Sequence, residues 1–211
     1  MSNTNPIIDN IRKALNRLPN DTVSNKPAIL KPRISGSQES ELDMLIVEIN
    51  KLSGFARRIT MDQVESELLN LTKVEKITKT LLWDTPWLNQ FNARKFLESN
   101  NIEIIPNNSS KDKLAQCELG ITEADFALPE TGTLVLLSSQ SKPRTTSLLP
   151  RVHLVLLNPQ AVVPDLHQVF ASTRDNPYTV FITGPSRTSD IELITTLGVH
   201  GPKSLYVWII C

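Results

Sequence analysis

Short apolar runs alternate with amphipathic stretches along most of the chain. The apolar runs predict strands within FARRIT, KTLLW, IEIIP, LVLL, HLVLL, YTVFI and SLYVWII. Helical spacing of apolar residues predicts helices over residues 61–73, 86–99, 110–117, 159–170 and 189–197. This alternation indicates an α/β domain with an open, largely parallel, Rossmann-like sheet. Because several strands are continuously apolar, we expect helices on both faces of that sheet.

The first 40 residues follow a different pattern. Apolar residues at helical spacing predict an amphipathic helix that ends near Pro19, and they are Ile7, Ile8, Ile11, Leu15 and Leu18. Prolines and small polar residues over 19–40 predict a linker or a long wrapping loop. A second helix is predicted over 40–53, with Gly54 at its C-terminus. We therefore divide the chain into an N-terminal helix and linker, residues 1–40, and an α/β domain, residues 41–211.

Composition and charge narrow the possible functions. The chain has 211 residues, with 22 basic and 22 acidic side chains and a net charge of zero, which argues against binding to nucleic acid. Its two cysteines cannot supply the ligands of an iron–sulfur cluster or a four-ligand zinc site. No apolar run approaches transmembrane length and no signal-peptide core is present, so we expect a cytoplasmic protein without a membrane span.

Three segments carry residues suited to chemistry, and we expect them beyond the carboxyl ends of the strands, where open α/β sheets bind ligands. The first reads GITEADFALPETGT. Thr122 and Asp125 have the spacing of a capped turn, and the proline at 129 favours an extended residue before it. Glu130-Thr131-Gly132 then starts a strand. Glu130 could act as a nucleophile, a base or a ligand-orienting group, or it could bind neighbouring backbone N–H groups.

The second segment reads TGPSRTSDIELITTLG. Ser189 and Glu192 form a capping box, which predicts a helix that starts at Asp190 and ends at Gly198. The preceding turn, residues 184–188, combines free backbone N–H groups with hydroxyls and Arg187, a combination suited to binding an anion or a carboxylate. Capping alone accounts for the serine and the glutamate, and Arg187 could equally be a solvated surface residue.

The third segment reads RTTSLLPRVHLVLL. Arg144 and the hydroxyls after it, including Ser147, could meet a carboxylate or a phosphate. His153 precedes an apolar run, so a hydrogen-bonded core histidine is the simpler interpretation. His200 lies in a glycine-rich turn, GVHGP, where a functional role and a surface role are equally compatible with the sequence.

Together and in this order, the three segments closely resemble the LUD-domain family, and within it the lactate utilization protein C group. The resemblance covers essentially the whole chain and is strongest from Gly120 to Ile210. It implies a fold of the type shared by ribose-5-phosphate isomerase and CoA transferases. It also implies the cluster-free component of a system that oxidises L-lactate to pyruvate with two iron–sulfur partner proteins. The matching positions are Thr122, Asp125, Glu130, Thr131, Gly132, Ser147, His153, Gly184, Pro185, Ser186, Asp190, Ile191, Glu192, Gly198, His200 and Gly201.

From these, Glu130 and His200 are the candidates for catalysis. The substrate-binding candidates are Thr122, Asp125, Glu130, Thr131, Gly132, Arg144, Ser147, His153, Gly184, Pro185, Ser186, Arg187, His200 and Gly201. No metal or organic cofactor is expected. Two alternatives stay open at this point. One is a stand-alone enzyme of CoA-transferase-like fold that binds a small carboxylate or an acyl-CoA, with Glu130 forming an acyl intermediate. The other is a non-catalytic module that binds a ligand or regulates another protein.

Overall fold

A computed structural model describes residues 6–16, 32–174, 178–188 and 196–211. Backbone contacts divide the chain into two compact units, Met1–Lys31 and Pro32–Cys211. Within the described part of the first unit lies one helix, α1 (Pro6–Ala14), whose apolar residues Ile7, Ile8 and Ile11 are exposed. The predicted N-terminal helix is thus present, and the division proposed at residue 40 stays a prediction.

Short helices and strands alternate through the second unit. Its helices are α2 (Gln38–Lys51), α3 (Val64–Val74), α4 (Pro86–Asn89), α5 (Ala93–Ser99), α6 (Lys111–Ala115), α7 (Thr145–Leu148) and α8 (Leu166–Thr173). Its strands are β1 (Phe55–Ile59), β2 (Lys79–Leu82), β3 (Glu103–Ile104), β4 (Leu119–Glu123), β5 (Phe126–Leu128), β6 (Thr133–Leu137), β7 (Val152–Leu157), β8 (Thr179–Ile182), β9 (Arg187–Thr188), β10 (Thr196–Leu197) and β11 (Ser204–Ile210). Single 3-10 turns span Met61–Gln63, Pro129–Thr131 and Pro159–Ala161.

A six-stranded parallel sheet forms the centre of this unit, with the strand order β1-β11-β7-β4-β2-β3. Strand β7 is buried at every residue, as expected for a central strand covered on both faces. The largest apolar cluster includes Trp83 and Trp208 and joins the sheet to helices α2 and α3. The predicted α/β fold with a largely parallel sheet is confirmed.

Two of the predicted strands lie outside the parallel sheet. LVLL (in β6) and YTVFI (in β8) pair with each other in antiparallel register and, with β5, form a separate three-stranded sheet in the order β5-β6-β8. The apolar pattern indicates a single sheet. It does not separate these strands from the parallel ones, because an apolar run shows that a strand is buried but does not show the direction of its partner.

Helix α2 shows how local chemistry fixes an element. Ser37 caps its N-terminus by accepting a hydrogen bond from the Ser40 N–H, and Leu42, Leu45 and Ile49 form its buried stripe. The C-terminal prediction was wrong in detail. Ser53, and not Gly54, adopts the left-handed conformation with φ 66°, while the residue 54 N–H donates to the Ile49 carbonyl at 3.0 Å.

Two predicted elements are wrong in type or in extent. The turn proposed at Thr122 and Asp125 does not exist, because residues 119–123 form the central strand β4 and local capping spacing is overridden by sheet pairing. The proposed helix over 189–197 cannot include its last two residues, since 196–197 are strand β10, antiparallel to β9. Residues 189–195, with the capping-box pair and the motif positions Asp190 and Ile191, lie outside the described residues.

The predicted helix over 86–99 is also interrupted. Asn92 has a left-handed conformation, with φ 49°, and separates α4 from α5. Cys117 is buried and Cys211 is exposed, and both are free. In the ranges given above, no helix is long and apolar enough to cross a membrane.

Candidate functional site

Segments that lie far apart in the sequence line one cleft of about 250 Å³, which we name the His153 cleft. Predicted site residues in its wall are Ser147, His153, Gly184, Pro185, Ser186, His200 and Gly201. The other lining residues are Leu148, Val180, Phe181, Ile182, Thr183, Pro202 and Leu205. Half of the predicted substrate-binding residues are thus brought together, although sequence spacing alone did not connect their segments.

Hydrogen bonds between loops hold two walls of the cleft together. The Ser186 N–H donates to the Pro202 carbonyl at 2.9 Å, and the Gly198 N–H donates to the Ser186 carbonyl at 2.9 Å. A side chain at Gly201 would also meet Ser186, since an added Cβ would lie 3.1 Å from the Ser186 Cβ. Gly184 turns the chain after β8 with φ 82°, a conformation that strongly favours glycine. Gly201 therefore allows two loops to pack closely, and Gly184 allows the chain to turn.

The cleft lies at the amino ends of β7 and β11, and not at the carboxyl ends where we expected it. His153 is the second residue of β7, and Leu205 is the second residue of β11. Helix α7, which immediately precedes β7, supplies Ser147 and Leu148. The general rule for open α/β sheets does not hold here, because the antiparallel strand β8 borders the amino ends of these strands and provides the opposite wall.

A buried hydrogen bond fixes His153 in the floor of the cleft. His153 Nε2 lies 2.9 Å from the hydroxyl oxygen of Thr122, a residue of the neighbouring strand β4, and both residues are fully buried. The other ring nitrogen, Nδ1, is buried without a hydrogen-bond partner. Burial lowers the pKa of His153 to about 3, so the imidazole is neutral at physiological pH. The simpler interpretation, a hydrogen-bonded core histidine, explains only one of its two nitrogens.

The described lining of the cleft contains hydroxyls, imidazoles and apolar groups but no Asp, Glu, Lys or Arg side chain. The polar side chains are Ser147, Thr183, Ser186 and the two histidines. A ligand held by these residues would therefore be recognised mainly by hydrogen bonds and shape. The Ser147 hydroxyl already donates to the Arg144 carbonyl at 3.1 Å, which fixes its position in the wall.

The Glu130 segment lies beside the cleft and reaches it through a chain of hydroxyls. Thr131 and Thr133 hydroxyls are 2.8 Å apart, and the Thr133 hydroxyl is 2.8 Å from that of Thr183, a cleft residue. Gly132 has φ 60°, and an added Cβ would lie 2.9 Å from the Ile49 backbone nitrogen, so it allows α2 to pack closely. The carboxylate of Glu130 itself is 67% exposed.

Glu130 thus has one weak ion pair and no place in the cleft wall. Its Oε2 lies 3.9 Å from Nε of Arg33, whose guanidinium is held mainly by two hydrogen bonds to the carboxylate of Glu41. The Glu130 side chain is not among the lining residues of the His153 cleft. Local structure therefore does not require an acid at this position.

Asp125, by contrast, has a structural role at the carboxyl end of β4. Lys142 Nζ lies 2.7 Å from a carboxylate oxygen of Asp125 and 2.7 Å from one of Glu123. The second Asp125 oxygen accepts a hydrogen bond from the Leu137 N–H at 2.8 Å. The three largely buried charges, the Lys142 cluster, tie the loop after β6 to the end of the parallel sheet. Sequence reasoning missed Lys142 because a lysine in a polar loop is usually solvated.

The two predicted arginines do not line the cleft. The guanidinium of Arg144 lies over the ring of Tyr178, 4.4 Å from its centroid, and is exposed. Arg187 is also exposed and donates a hydrogen bond to the carbonyl oxygen of Leu52. Thr183 and Pro202 are cleft residues that sequence reasoning missed, although they directly adjoin the predicted Gly184 and Gly201. Their position next to these glycines in the sequence was the signal that could have identified them.

Comparisons with known proteins match the chain over most of its length. A family model described as the LUD domain matches residues 60–210. A lactate utilization protein C of Halalkalibacterium halodurans is 30% identical over 194 residues, which cover 84% of this chain and 84% of that protein. A lactate utilization protein C of Shouchella clausii is 29% identical over 200 residues, covering 90% of this chain and 86% of that protein.

A solved structure supports the fold independently. A DUF162 family protein from Deinococcus radiodurans superposes with a TM-score of 0.61 at 17% sequence identity. The alignment covers 84% of this chain and all of that chain, 100%. At this identity the match shows the architecture of the chain and says nothing about its ligand.

Proposed function

The chain belongs to the LUD-domain family, and from this premise we propose that it is a component of an L-lactate utilization system and that the His153 cleft is the site where it acts. Relatives named lactate utilization protein C, similar over most of their length, support a role in lactate utilization. The single observation that supports the cleft is that residues of the 147–153, 183–186 and 200–202 segments line it together.

The chemistry of the chain fits binding better than electron transfer. Oxidation of L-lactate to pyruvate removes two electrons and two protons, which a redox centre must accept. Two cysteines, one of them buried with its pKa raised to about 11 mainly by burial, cannot ligate an iron–sulfur cluster. In this proposal, iron–sulfur partner proteins carry the electrons, and this chain holds a small organic acid such as L-lactate or pyruvate.

A matched pair of leucine variants tests whether the cleft binds the acid. Leu148 and Leu149 are adjacent and similarly exposed, 42% and 47%, but only Leu148 is among the lining residues of the cleft. Leu148→Trp should fill the cleft mouth, and Leu149→Trp should add the same ring outside it.

Thermal unfolding of the full chain is then measured with and without L-lactate or pyruvate. At one hundred times its dissociation constant a ligand stabilises by about 2.7 kcal/mol, which raises the melting temperature by about 5 to 10 °C for a protein of this size. We expect this shift in the wild type and in Leu149→Trp, and its loss in Leu148→Trp. Equal shifts in both variants would place the ligand elsewhere, and no shift with either acid in the wild type would refute binding.

A further inference from the structure

The imidazole of His153 has one satisfied and one unsatisfied ring nitrogen. Nε2 pairs with the Thr122 hydroxyl at 2.9 Å, whereas Nδ1 is buried and has no partner. Native proteins rarely leave a buried polar atom unpaired, so each case calls for an explanation. Here the unpaired atom belongs to a residue that lines the cleft. A ligand in the cleft can supply the missing partner.

Counting donors and acceptors decides which nitrogen carries the proton. A neutral imidazole has one N–H donor and one acceptor nitrogen, and a threonine hydroxyl has one hydrogen to donate. In the described part of the chain, Nε2 is the hydrogen-bond partner found for the Thr122 hydroxyl. If Nε2 carried the proton, both the hydroxyl hydrogen and Nδ1 would lack partners. If Thr122 instead donates to Nε2, only the Nδ1–H group lacks a partner. This second state leaves fewer buried groups unpaired.

We propose that Thr122 is a positioning residue that holds His153 in its Nδ1–H tautomer, so that the cleft presents a neutral N–H donor to a carboxylate or keto oxygen of a small organic acid. This inference rests on the proposed function, because it assigns the ligand chemistry of the same cleft. Neither Lys nor Arg is among the described lining residues of the cleft, so the oxygen of an acidic ligand there would accept hydrogen bonds from neutral donors. Burial keeps the ring uncharged, which is consistent with a fixed donor and not with a proton acceptor.

Nitrogen NMR of the full chain with 15N-labelled histidine reads the tautomer directly. The other two histidines are exposed, so His167→Gln and His200→Gln assign the His153 resonances by elimination. We expect a protonated Nδ1 and an unprotonated Nε2 in the free protein. A ring protonated at Nε2 would overturn the inference, and this result needs no variant at Thr122. The proposed function would survive protonation at Nε2, provided that pyruvate still binds.

Pyruvate, which offers only acceptor oxygens, is the probe for recognition. In the wild type it should shift the His153 Nδ1 resonance on titration. Thr122→Val removes the hydroxyl but keeps the branched shape, and it should mix the two tautomers and weaken binding about tenfold, equivalent to about 1.4 kcal/mol. Thr122→Ser restores the donor and should bind within about twofold of the wild type. Equal affinity in Thr122→Val and the wild type would overturn the positioning role. A pyruvate-bound protein with an unmoved Nδ1 resonance would overturn the assigned donor.

Discussion

Replacing Gly120 with alanine should force helix α7 away from the central sheet. Gly120 lies in β4 beside His153 of β7, and α7 passes directly over it. A Cβ added at residue 120 would overlap the carbonyl oxygen of Thr146 and would lie 3.0 Å from the Thr146 carbonyl carbon. Both are backbone atoms, so rotation of a side chain cannot relieve the overlap, and the helix itself must move.

The magnitude follows from the kind of contact that is disturbed. Inserting atoms into a well-packed interior costs about 1 to 3 kcal/mol, and a backbone overlap belongs at the upper end, at about 3 kcal/mol. For a protein of this size, that loss lowers the melting temperature by about 6 to 12 °C. Because α7 carries the cleft residues Ser147 and Leu148, the same shift should also weaken binding of an organic acid.

Urea unfolding followed by circular dichroism measures this loss against a second glycine variant. In Gly36→Ala the added Cβ would meet the hydroxyl oxygen of Ser40 at 2.5 Å, but that atom is the end of an exposed side chain that can rotate away. We expect this control to lose no more than about 0.5 kcal/mol. If Gly120→Ala is as stable as Gly36→Ala, the close packing of α7 on β4 is not needed for the fold, and the reasoning is refuted.

Three further predictions concern charged side chains. Hydrogen bonds from Arg33 lower the pKa of Glu41 below its ordinary value of 4.5, so the stabilisation they give is present above pH 4.5 and is lost as the pH falls through the lowered pKa. Glu41→Gln should therefore cost about 2 kcal/mol at pH 7 and progressively less on acidification below pH 4.5, as measured by urea unfolding at a series of pH values. A loss that does not change with pH would contradict this account. Lys142→Met leaves two largely buried carboxylates without their cation and should cost about 2 kcal/mol of unfolding free energy. The control Lys51→Met breaks an exposed ion pair and should cost under about 1 kcal/mol in the same assay. Equal losses in the two variants would contradict a structural role for the Lys142 cluster. Glu130→Gln should stay within about 0.5 kcal/mol of the wild type by thermal unfolding, because its carboxylate is 67% exposed, and a larger loss would make the acid structural.

The parallel core was predictable because its strands are apolar on both faces. HLVLL and SLYVWII are continuous apolar runs, and both lie where this pattern predicts, in β7 and β11. Strand β4 was missed because Gly120 and Thr122 interrupt its apolar run. Each serves a contact with a distant residue: the glycine makes room for α7, and the threonine bonds to His153, which is 31 residues away. The spacing of neighbouring residues cannot show that a residue is needed for a contact with a distant part of the chain.

The cleft was predictable in its parts and not in its assembly. Glycine, serine and histidine marked two short turns, and residues 184–186 and 200–202 of these turns line the cleft. Their meeting at the amino ends of β7 and β11 depends on β8 pairing with β6 in a second sheet, which apolar periodicity does not encode. The structural role of Asp125 was hidden for a related reason, since its partner Lys142 is 17 residues away in a polar loop.

Electron transfer from L-lactate tests the central claim most directly. Iron–sulfur lactate-utilization proteins are assayed for L-lactate-dependent reduction of an acceptor dye, without this chain, with the wild type, and with Leu148→Trp or Leu149→Trp. We predict that dye reduction requires this chain, that Leu149→Trp supports it as the wild type does, and that Leu148→Trp, whose side chain lines the His153 cleft, does not. Full dye reduction without the chain, or with Leu148→Trp, would contradict the assignment of this cleft to lactate utilization.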